Sequence, residues 1–176
     1  MTQHPIAVVT GGAGFIGSHM VNLLLSRGYQ VRVIDNLVGG RLANLEQHQN
    51  DEKLTVEEMD IRDLKPSQSI FSDAKLVFHF AGIGDIVPSI DNPAEYMSVN
   101  VQGTVHVLEA ARHAGVGKLV YAASSSCYGL ADTPTTEDHP ISPEYPYALS
   151  KYVGEMSAYH WHNVYGLPVN SVRIFN

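Results

Sequence analysis

The sequence predicts one α/β domain built on a doubly wound parallel sheet. Short apolar runs alternate with longer stretches of helical period, and a glycine-rich turn follows the first run. The chain has 176 residues, of which 44% are hydrophobic and 16% charged, so it can bury one core as ordinary globular proteins do. The expected domain covers residues 1–176.

The apolar runs that follow turn signals predict six strands, at residues 6–10, 30–35, 54–59, 75–80, 118–123 and 168–175. Apolar spacing of helical period predicts three helices between them, at residues 15–27, 93–114 and 145–165. The expected core-facing side chains are Ile16, Met20, Leu23 and Leu24 in the first helix and Val101, Val105 and Leu108 in the second.

Two stretches stand outside this pattern. Residues 129–146 carry four prolines and form the longest irregular segment, which makes them a candidate ligand loop. The sequence also stops at Asn176, directly after the last expected strand. We therefore expect a further domain, which would bind substrate, to follow that residue and to be absent from this chain.

Three glycines open the first helix with the spacing G-x-x-G-x-x-G, at Gly11, Gly14 and Gly17. Small residues let the backbone approach a pyrophosphate, whose charge the N–H groups of a helix start can meet. The second strand ends in Asp35, and a carboxylate there accepts hydrogen bonds from ribose hydroxyls and repels a 2′-phosphate. The pattern predicts a Rossmann fold with strand order 3-2-1-4-5-6 that binds NAD. A tight structural turn with a chance aspartate is the alternative.

Tyr147 and Lys151 lie four residues apart in the third predicted helix and so share one face of it. A nearby cation lowers the pKa of a phenol, and such a pair is typical of a general base. The pair opens the helix that follows the fifth strand, where a doubly wound sheet faces its crevice. An exposed helical pair without function is the alternative.

Three serines follow the fifth strand, at Ser124, Ser125 and Ser126. Hydroxyls at the carboxyl end of a strand point into the same crevice and can bond a substrate alcohol or carbonyl. Serines also end strands for purely local reasons, so both interpretations stay open.

Taken together, these motifs resemble the extended short-chain dehydrogenases/reductases, in their nucleotide-sugar epimerase and dehydratase branch, from Ile6 to Asn176. The resemblance implies a catalytic set of Ser124, Tyr147 and Lys151, and substrate contacts from Ser124, Ser125, Ser126 and Asn176. The cofactor contacts that it implies are Gly11, Gly14, Phe15, Ile16, Gly17, Asp35, Asn36, Asp60, Ile61, Phe80, Ala81, Gly82, Asn100, Tyr147 and Lys151.

One position discriminates within this branch. Sugar 4,6-dehydratases carry an Asp-Glu pair where this chain has Ser125-Ser126, so the pattern is similar to UDP-sugar 4-epimerases. The resemblance then implies that Tyr147 removes the proton of the 4-hydroxyl while hydride passes to NAD, and that hydride returns to the other face of the 4-keto sugar. Another oxidoreductase or dehydratase of the same family, and a non-catalytic NAD-binding domain, are the alternatives.

The sequence departs from the family at two places. Cys127 replaces a usual valine, and we expect it to pack as a small hydrophobic residue. Gly84 and Asp85 stand where some hexose epimerases carry a lysine that contacts the cofactor.

The bulk properties narrow the partners. A net charge of −7 argues against nucleic acid, and no apolar run reaches the length of a membrane span. The single cysteine fits a reducing compartment, so we expect a cytoplasmic protein. No metal site is expected, because His160 and His162 point to different faces of a helix. The family resemblance implies a homodimer formed through the two long helices.

Overall fold

The computed structural model describes residues 4–175, which form a six-stranded, wholly parallel sheet. The strands lie in the order β3-β2-β1-β4-β5-β6, which confirms the predicted doubly wound topology. Each expected strand is present to within one residue at either end. Their bounds are β1 Ile6–Thr10, β2 Gln30–Asp35, β3 Leu54–Glu58, β4 Ala74–His79, β5 Lys118–Ser124 and β6 Val169–Ile174.

Helices cover both faces of the sheet, as parallel sheets require. Helix α1 packs on one face over β1 and β2, and the two long helices pack on the other face. None of the described helices is long and apolar enough to cross a membrane. The helix bounds are α1 Phe15–Ser26, α2 Ile86–Asp91, α3 Pro93–Met97, α4 Thr104–His113 and α5 Pro146–Tyr165.

The predicted inner face of α1 was wrong by about one residue. Val21 and Leu25 are buried with Leu24, whereas Ile16 and Leu23 are nearly half exposed. The apolar residues of this helix form an arc that is wider than the buried face and is bounded by Ser18, Asn22 and Ser26, so periodicity alone defines its inner face poorly. The rotation is set by Gly17, which is buried against the glycine turn that precedes the helix.

The second predicted helix is not a regular α-helix along its whole length. Between α3 and α4 the backbone widens into a π-helical segment, Ser98–Gly103, which adds residues to a turn and shifts the register of α4. Val101 and Val105 are therefore only half-buried, contrary to the prediction, whereas Leu108 is buried as predicted, together with Val107 and Ala111. Asn100 lies inside the widened segment, at the crevice side of the sheet.

The crevice opens where the strand order reverses, between β1 and β4. The carboxyl ends of the parallel strands all point to it, which is where open α/β sheets bind ligands. Helix α2 is an unpredicted element that follows β4 at this edge, although it contains Pro88. The loop after β5 begins with a single 3₁₀ turn, Ser125–Tyr128.

Candidate active site

The glycine turn after β1 has no room for side chains. Gly11 has a φ of +70°, and a Cβ there would lie 2.6 Å from the backbone nitrogen of Ala81. A Cβ on Gly17 would overlap the carbonyl oxygen of Gly11. The first turn of α1 thus packs directly on the backbone of the loop, and its N–H groups stay open toward the crevice, as pyrophosphate binding requires.

Asp35 ends β2 beside this turn and is almost fully buried. One carboxylate oxygen accepts a hydrogen bond from the backbone N–H of Ala13 (2.9 Å), and the other accepts from that of Leu37 (2.9 Å). The carboxylate therefore holds the glycine turn to the end of β2. Its unused lone pairs face the crevice, where they can accept hydrogen bonds from a ribose.

Asp60 follows β3 and carries a fork of hydrogen bonds from Arg62, from Nε at 3.0 Å and from Nη2 at 2.8 Å. These bonds hold the pKa of Asp60 at about 2. Arg62 reaches on to Glu95 in α3 (3.0 Å), and Asn36 donates to Asp60 from the other side (3.0 Å). Asp60 is thus a charged tie between β2, β3 and α3 at the edge of the crevice.

Asn100 is buried, and its amide is fully engaged within the protein. Its Oδ1 accepts from the N–H of Ile83, and its Nδ2 donates to the carbonyl of Ile83 and to the hydroxyl of Ser150, all at 2.9 Å. The side chain clamps the loop after β4 against α5. It shapes the site through these two neighbours, from behind the wall of the crevice.

His79 is a buried polar residue that the sequence interpretation missed. Its Nδ1 lies 2.6 Å from the hydroxyl of Thr10, and its Nε2 lies 2.9 Å from that of Thr104. Thr104 donates its own hydrogen to the carbonyl of Asn100 (2.6 Å), so Nε2 must carry the ring proton and Thr10 must donate to Nδ1. Burial, reinforced by the positive charge of Lys151, lowers the pKa of His79 to about 3. The neutral ring, which belongs to β4, bridges β1 and the first residue of α4.

The predicted catalytic hydroxyls meet at the end of β5. The hydroxyl of half-buried Tyr147 lies 3.5 Å from that of Ser124, which is within hydrogen-bond reach. Ser124 and Ser126 share a hydrogen bond of 2.7 Å between their hydroxyls, which fixes the 3₁₀ turn under the tyrosine. The ring of Tyr147 packs edge-on against Tyr96 and in parallel with Tyr145.

Lys151 lies one helical turn behind Tyr147 and is buried. Its ammonium lies 4.6 Å from the centroid of the Tyr121 ring, in a cation–π contact. Burial lowers the pKa of Lys151 to about 8, and the charge of Glu155 partly opposes this shift. The lysine is therefore still a cation at neutral pH, and its charge is poorly solvated next to the tyrosine.

Glu155 and Arg173 form a second polar tie that the sequence interpretation did not find. The buried carboxylate of Glu155 accepts from Nε of Arg173 (3.0 Å) and from the hydroxyl of Ser171 (2.7 Å). Arg173 also donates to the hydroxyl of Tyr128 (2.6 Å). The available signal was the position of Glu155, four residues beyond Lys151 on the inner face of the same helix.

Two cavities meet at these residues. The first, of about 800 Å³, runs from the glycine turn past the ends of β2 and β3 to Lys151, and we call it the cofactor-side cavity. The second, of about 790 Å³, lies between α2 and the loop after β5, and we call it the substrate-side cavity. Both cavities are lined by the same four residues at their junction, namely Gly84, Asp85, Ser124 and Tyr147.

The structure gathers most of the predicted site residues around these cavities. Ser125 and Ser126 line the substrate-side cavity with Ser124, as the resemblance implies. Asn100 does not line either one, and Asn176 lies outside the described residues. The predicted cofactor contacts that line the cofactor-side cavity are Gly11, Gly14, Phe15, Ile16, Gly17, Asp35, Asn36, Asp60, Ile61, Phe80, Ala81, Gly82, Tyr147 and Lys151.

Other predictions about single residues have clear outcomes. Cys127 is buried, as expected, and burial raises the pKa of its thiol. The structure adds lining residues that no motif indicated, because they come from helix α2 and from the segments that follow β2, β3 and β5. They are Val38, Gly40 and Arg62 on the cofactor side and Ile86, Val87 and Thr135 on the substrate side.

Comparison with known proteins agrees with this geometry. The family model described as GDP-mannose 4,6 dehydratase matches residues 8–176. A UDP-glucose 4-epimerase from Mycolicibacterium smegmatis is 39% identical over 173 residues, which cover 96% of this chain and 55% of that protein. The chain thus spans about half the length of the curated relatives it matches.

Two solved structures superimpose closely on the chain. A UDP-N-acetylglucosamine 4-epimerase from Methanobrevibacter ruminantium M1, in complex with UDP-N-acetylmuramic acid, gives a TM-score of 0.93 at 33% identity, covering 99% of this chain and 56% of that one. A dTDP-glucose 4,6-dehydratase from Streptomyces venezuelae, with NAD bound, gives 0.90 at 36% identity, covering 96% and 55%.

The fold and the Ser-Tyr-Lys arrangement define a Rossmann-fold domain of the extended short-chain dehydrogenase/reductase type. Within that class, the chain belongs to the GDP-mannose 4,6 dehydratase family, the branch that contains nucleotide-sugar epimerases and dehydratases.

Proposed function

We propose that this chain is the NAD-binding, catalytic portion of a nucleotide-sugar 4-epimerase that acts on a UDP-sugar. The observation that carries the proposal is the junction of the two cavities. There the hydroxyl of Tyr147 meets that of Ser124 at 3.5 Å, with the buried cation of Lys151 one turn behind. A base, a hydroxyl partner and a cation at one point are what proton removal from a sugar alcohol needs.

The cofactor-side cavity fits NAD in shape and in charge. The glycine turn leaves space that a Cβ would fill, and the start of α1 faces it with open N–H groups. Asp35 presents a carboxylate that favours a free ribose over a 2′-phosphate. When bound, NAD supplies the two-electron acceptor for the hydrogen that leaves C4 of the sugar and later returns to it.

The chain's own side chains then manage the proton. Tyr147 takes the proton of the 4-hydroxyl and gives it back when the keto group is reduced. Ser124 lies within hydrogen-bond reach of Tyr147 and can orient the same sugar oxygen. Lys151 supplies a positive charge that favours the ionised tyrosine, because little water screens it at this depth.

The choice of epimerase over dehydratase depends on Ser125 and Ser126. Elimination of water from a sugar needs an acid and a base beside the substrate, and these hydroxyls supply neither at neutral pH. Ser126 is moreover held in a hydrogen bond with Ser124. We propose that a substrate-binding segment supplies the remaining walls of the substrate-side cavity. This segment would correspond to the additional length of the relatives.

A homodimer through the long helices, in the cytoplasm, is part of the proposal. Helix α5 exposes an apolar stripe on the side away from the sheet, at Leu149, Met156 and Tyr159. These positions are seven and three residues apart and so lie on one face of the helix. A second copy that presents the same stripe would cover it symmetrically.

The test is turnover without added cofactor. The complete product of the gene that encodes this chain, incubated with UDP-galactose or UDP-N-acetylgalactosamine, should yield the 4-epimer, since NAD is regenerated in each cycle. Tyr147→Phe should lower turnover at least about 100-fold with NAD still bound. Tyr152→Phe, on the same helix but outside both cavities, is the matched control. A 4-keto-6-deoxy product would instead identify a dehydratase.

A further inference from the structure

Asp85 places a single carboxylate at the junction of the two cavities. It lines both of them together with Ser124 and Tyr147. We propose that Asp85 is a specificity residue, which makes the site select nucleotide sugars with an uncharged hexose over those with a hexuronate. This proposal rests on the proposed function and adds to it the charge class of the sugar.

The carboxylate of Asp85 is not engaged in a capping hydrogen bond of the fold. Asp85 is the residue before α2, where an aspartate usually accepts a hydrogen bond from an N–H in the first helical turn. The third residue of that turn is Pro88, which has no N–H to donate, and the side chain makes no capping bond. An exposed carboxylate with this placement faces the cleft.

The loop that carries Asp85 is nevertheless fixed in position. Both backbone groups of Ile83 bond to the amide of Asn100 at 2.9 Å. The field of the carboxylate also reaches the catalytic neighbourhood. After burial, the charge of Asp85 is the next cause that raises the pKa of Tyr96, whose ring packs edge-on against that of Tyr147.

In the described part of the chain, the substrate-side wall brings no lysine or arginine to this charge. The sequence has no lysine or arginine from residue 82 to residue 111 or from residue 119 to residue 150, the two segments that supply nearly all of the substrate-side wall. Asp85 is the only charged residue that lines this cavity within residues 4–175. Lys151 lines the cofactor-side cavity only.

The loop between β5 and α5, which supplies part of the substrate-side wall, is also negatively charged. It carries Asp132, Glu137, Asp138 and Glu144 and no lysine or arginine, and His139 is its one group that can become positive near neutral pH. A hexuronate would bring a second carboxylate next to Asp85, in a cavity that no cationic side chain of residues 4–175 lines.

The expected consequence is a preference of about tenfold or more in kcat/KM for a neutral UDP-hexose over UDP-glucuronate. Repulsion between like charges several ångströms apart in a partly screened cleft has this size. The preference should weaken with the removal of the charge in Asp85→Asn, which keeps the size of the side chain.

The experiment compares UDP-galactose with UDP-glucuronate as substrates of the complete gene product. Asp85→Asn should raise the uronate-to-hexose ratio of kcat/KM about tenfold. Asp91→Asn removes the same charge at the exposed far end of α2 and should leave the ratio unchanged. An unchanged ratio in Asp85→Asn, or an equal rise in Asp91→Asn, would overturn the proposal.

The same comparison works if the proposed function fails. When no sugar is turned over, calorimetric affinities for the two UDP-sugars replace kcat/KM in each variant. A ratio of affinities that moves about tenfold in Asp85→Asn alone supports charge selection by this residue without epimerisation. A ratio that stays constant rejects the selection itself.

Discussion

The two cavities that meet at Tyr147 are nearly equal in size but are built from different materials. The cofactor-side cavity is framed by strand ends and glycine backbone, and the carboxylates that follow its strands are held in hydrogen bonds, Asp35 by backbone N–H groups and Asp60 by Arg62. The substrate-side cavity is framed by loops, by exposed apolar side chains such as Val87, and by the free carboxylate of Asp85. In the proposed function, the sheet itself would thus recognise the cofactor, whereas segments that can vary without disturbing the sheet would recognise the sugar.

The largest effect is expected where backbone packs on backbone in the cofactor-side cavity. In Gly17→Ala the new methyl group overlaps the carbonyl of Gly11, so the glycine turn must move away from α1. We expect NAD affinity to fall at least about 100-fold and the free energy of unfolding to drop by about 3 kcal/mol. Calorimetric titration with NAD and urea unfolding measure the two effects.

The control for this variant is Ser18→Ala, one residue further along the same helix. Ser18 lines neither cavity, and its hydroxyl bonds only to the carbonyl of Phe15. The Ser18→Ala variant should bind NAD with the affinity of the wild type. Wild-type affinity in Gly17→Ala would show that the turn is not the pyrophosphate site.

A similar loss of unfolding free energy is expected at Asn100, which clamps the loop after β4 against α5. Asn100→Leu removes three hydrogen bonds and leaves both backbone groups of Ile83 without partners, which should cost about 3 kcal/mol of unfolding free energy. Gln102→Ala, an exposed neighbour in the same π-helical segment, should cost less than about 0.5 kcal/mol. Chemical unfolding measures the loss of unfolding free energy in each variant. Equal losses would show that the hydrogen bonds of Asn100 do not stabilise the fold in this way.

Replacement of Lys151 should instead raise the free energy of unfolding, because burial of its charge destabilises the folded state. Its pKa is about 8 in the folded protein against 10.5 in the unfolded chain, so the folded state binds fewer protons between these values and stability rises with pH there. The cost is full below pH 8, at about 3 kcal/mol, and replacement by methionine should recover about 2 kcal/mol of it, because the shorter side chain leaves some volume unfilled.

The free energy of unfolding of Lys151→Met should therefore be about 2 kcal/mol higher than that of the wild type at pH 7. The variant should also lose activity. The difference should disappear as pH rises from 8 to 10.5. Urea unfolding across this range measures it, with the exposed Lys65→Met as the control that stays level with the wild type. If Lys151→Met is less stable than the wild type at pH 7, the lysine stabilises the fold. Its burial would then not be a loss of stability that function requires.

The fold and the cofactor half of the site could be predicted from the sequence because they depend on local signals. The glycine spacing, the carboxylate at the end of β2 and the Tyr147–Lys151 spacing each require only a few neighbouring residues. The ties that position the site could not be predicted in this way. His79 bridges Thr10 and Thr104, and those partners are 69 and 25 residues away, so no spacing rule connects them.

The error in α1 has a related cause. Its apolar arc is wider than the buried face, and the rotation is decided by the close packing of Gly17, which a hydrophobic pattern does not register. The substrate-side cavity was only outlined, by the serines and by a proline-rich loop. Its wall combines α2, a helix of six residues too short to show a clear period, with residues more than 35 positions away.

The smallest effects should separate the two cavities most cleanly. Val38 and Val87 are both largely exposed valines, the first lining the cofactor side and the second the substrate side. Each is expected to be covered only when its ligand binds, so neither Val38→Ser nor Val87→Ser should change the free energy of unfolding by more than about 0.5 kcal/mol. Loss of about 1 kcal/mol of apolar burial in the complex should weaken the corresponding ligand about fivefold. Val38→Ser should raise the Kd for NAD and leave the KM for the UDP-sugar alone, and Val87→Ser should do the reverse. If both variants weaken both ligands equally, the cavities act as one site and the division between them is wrong.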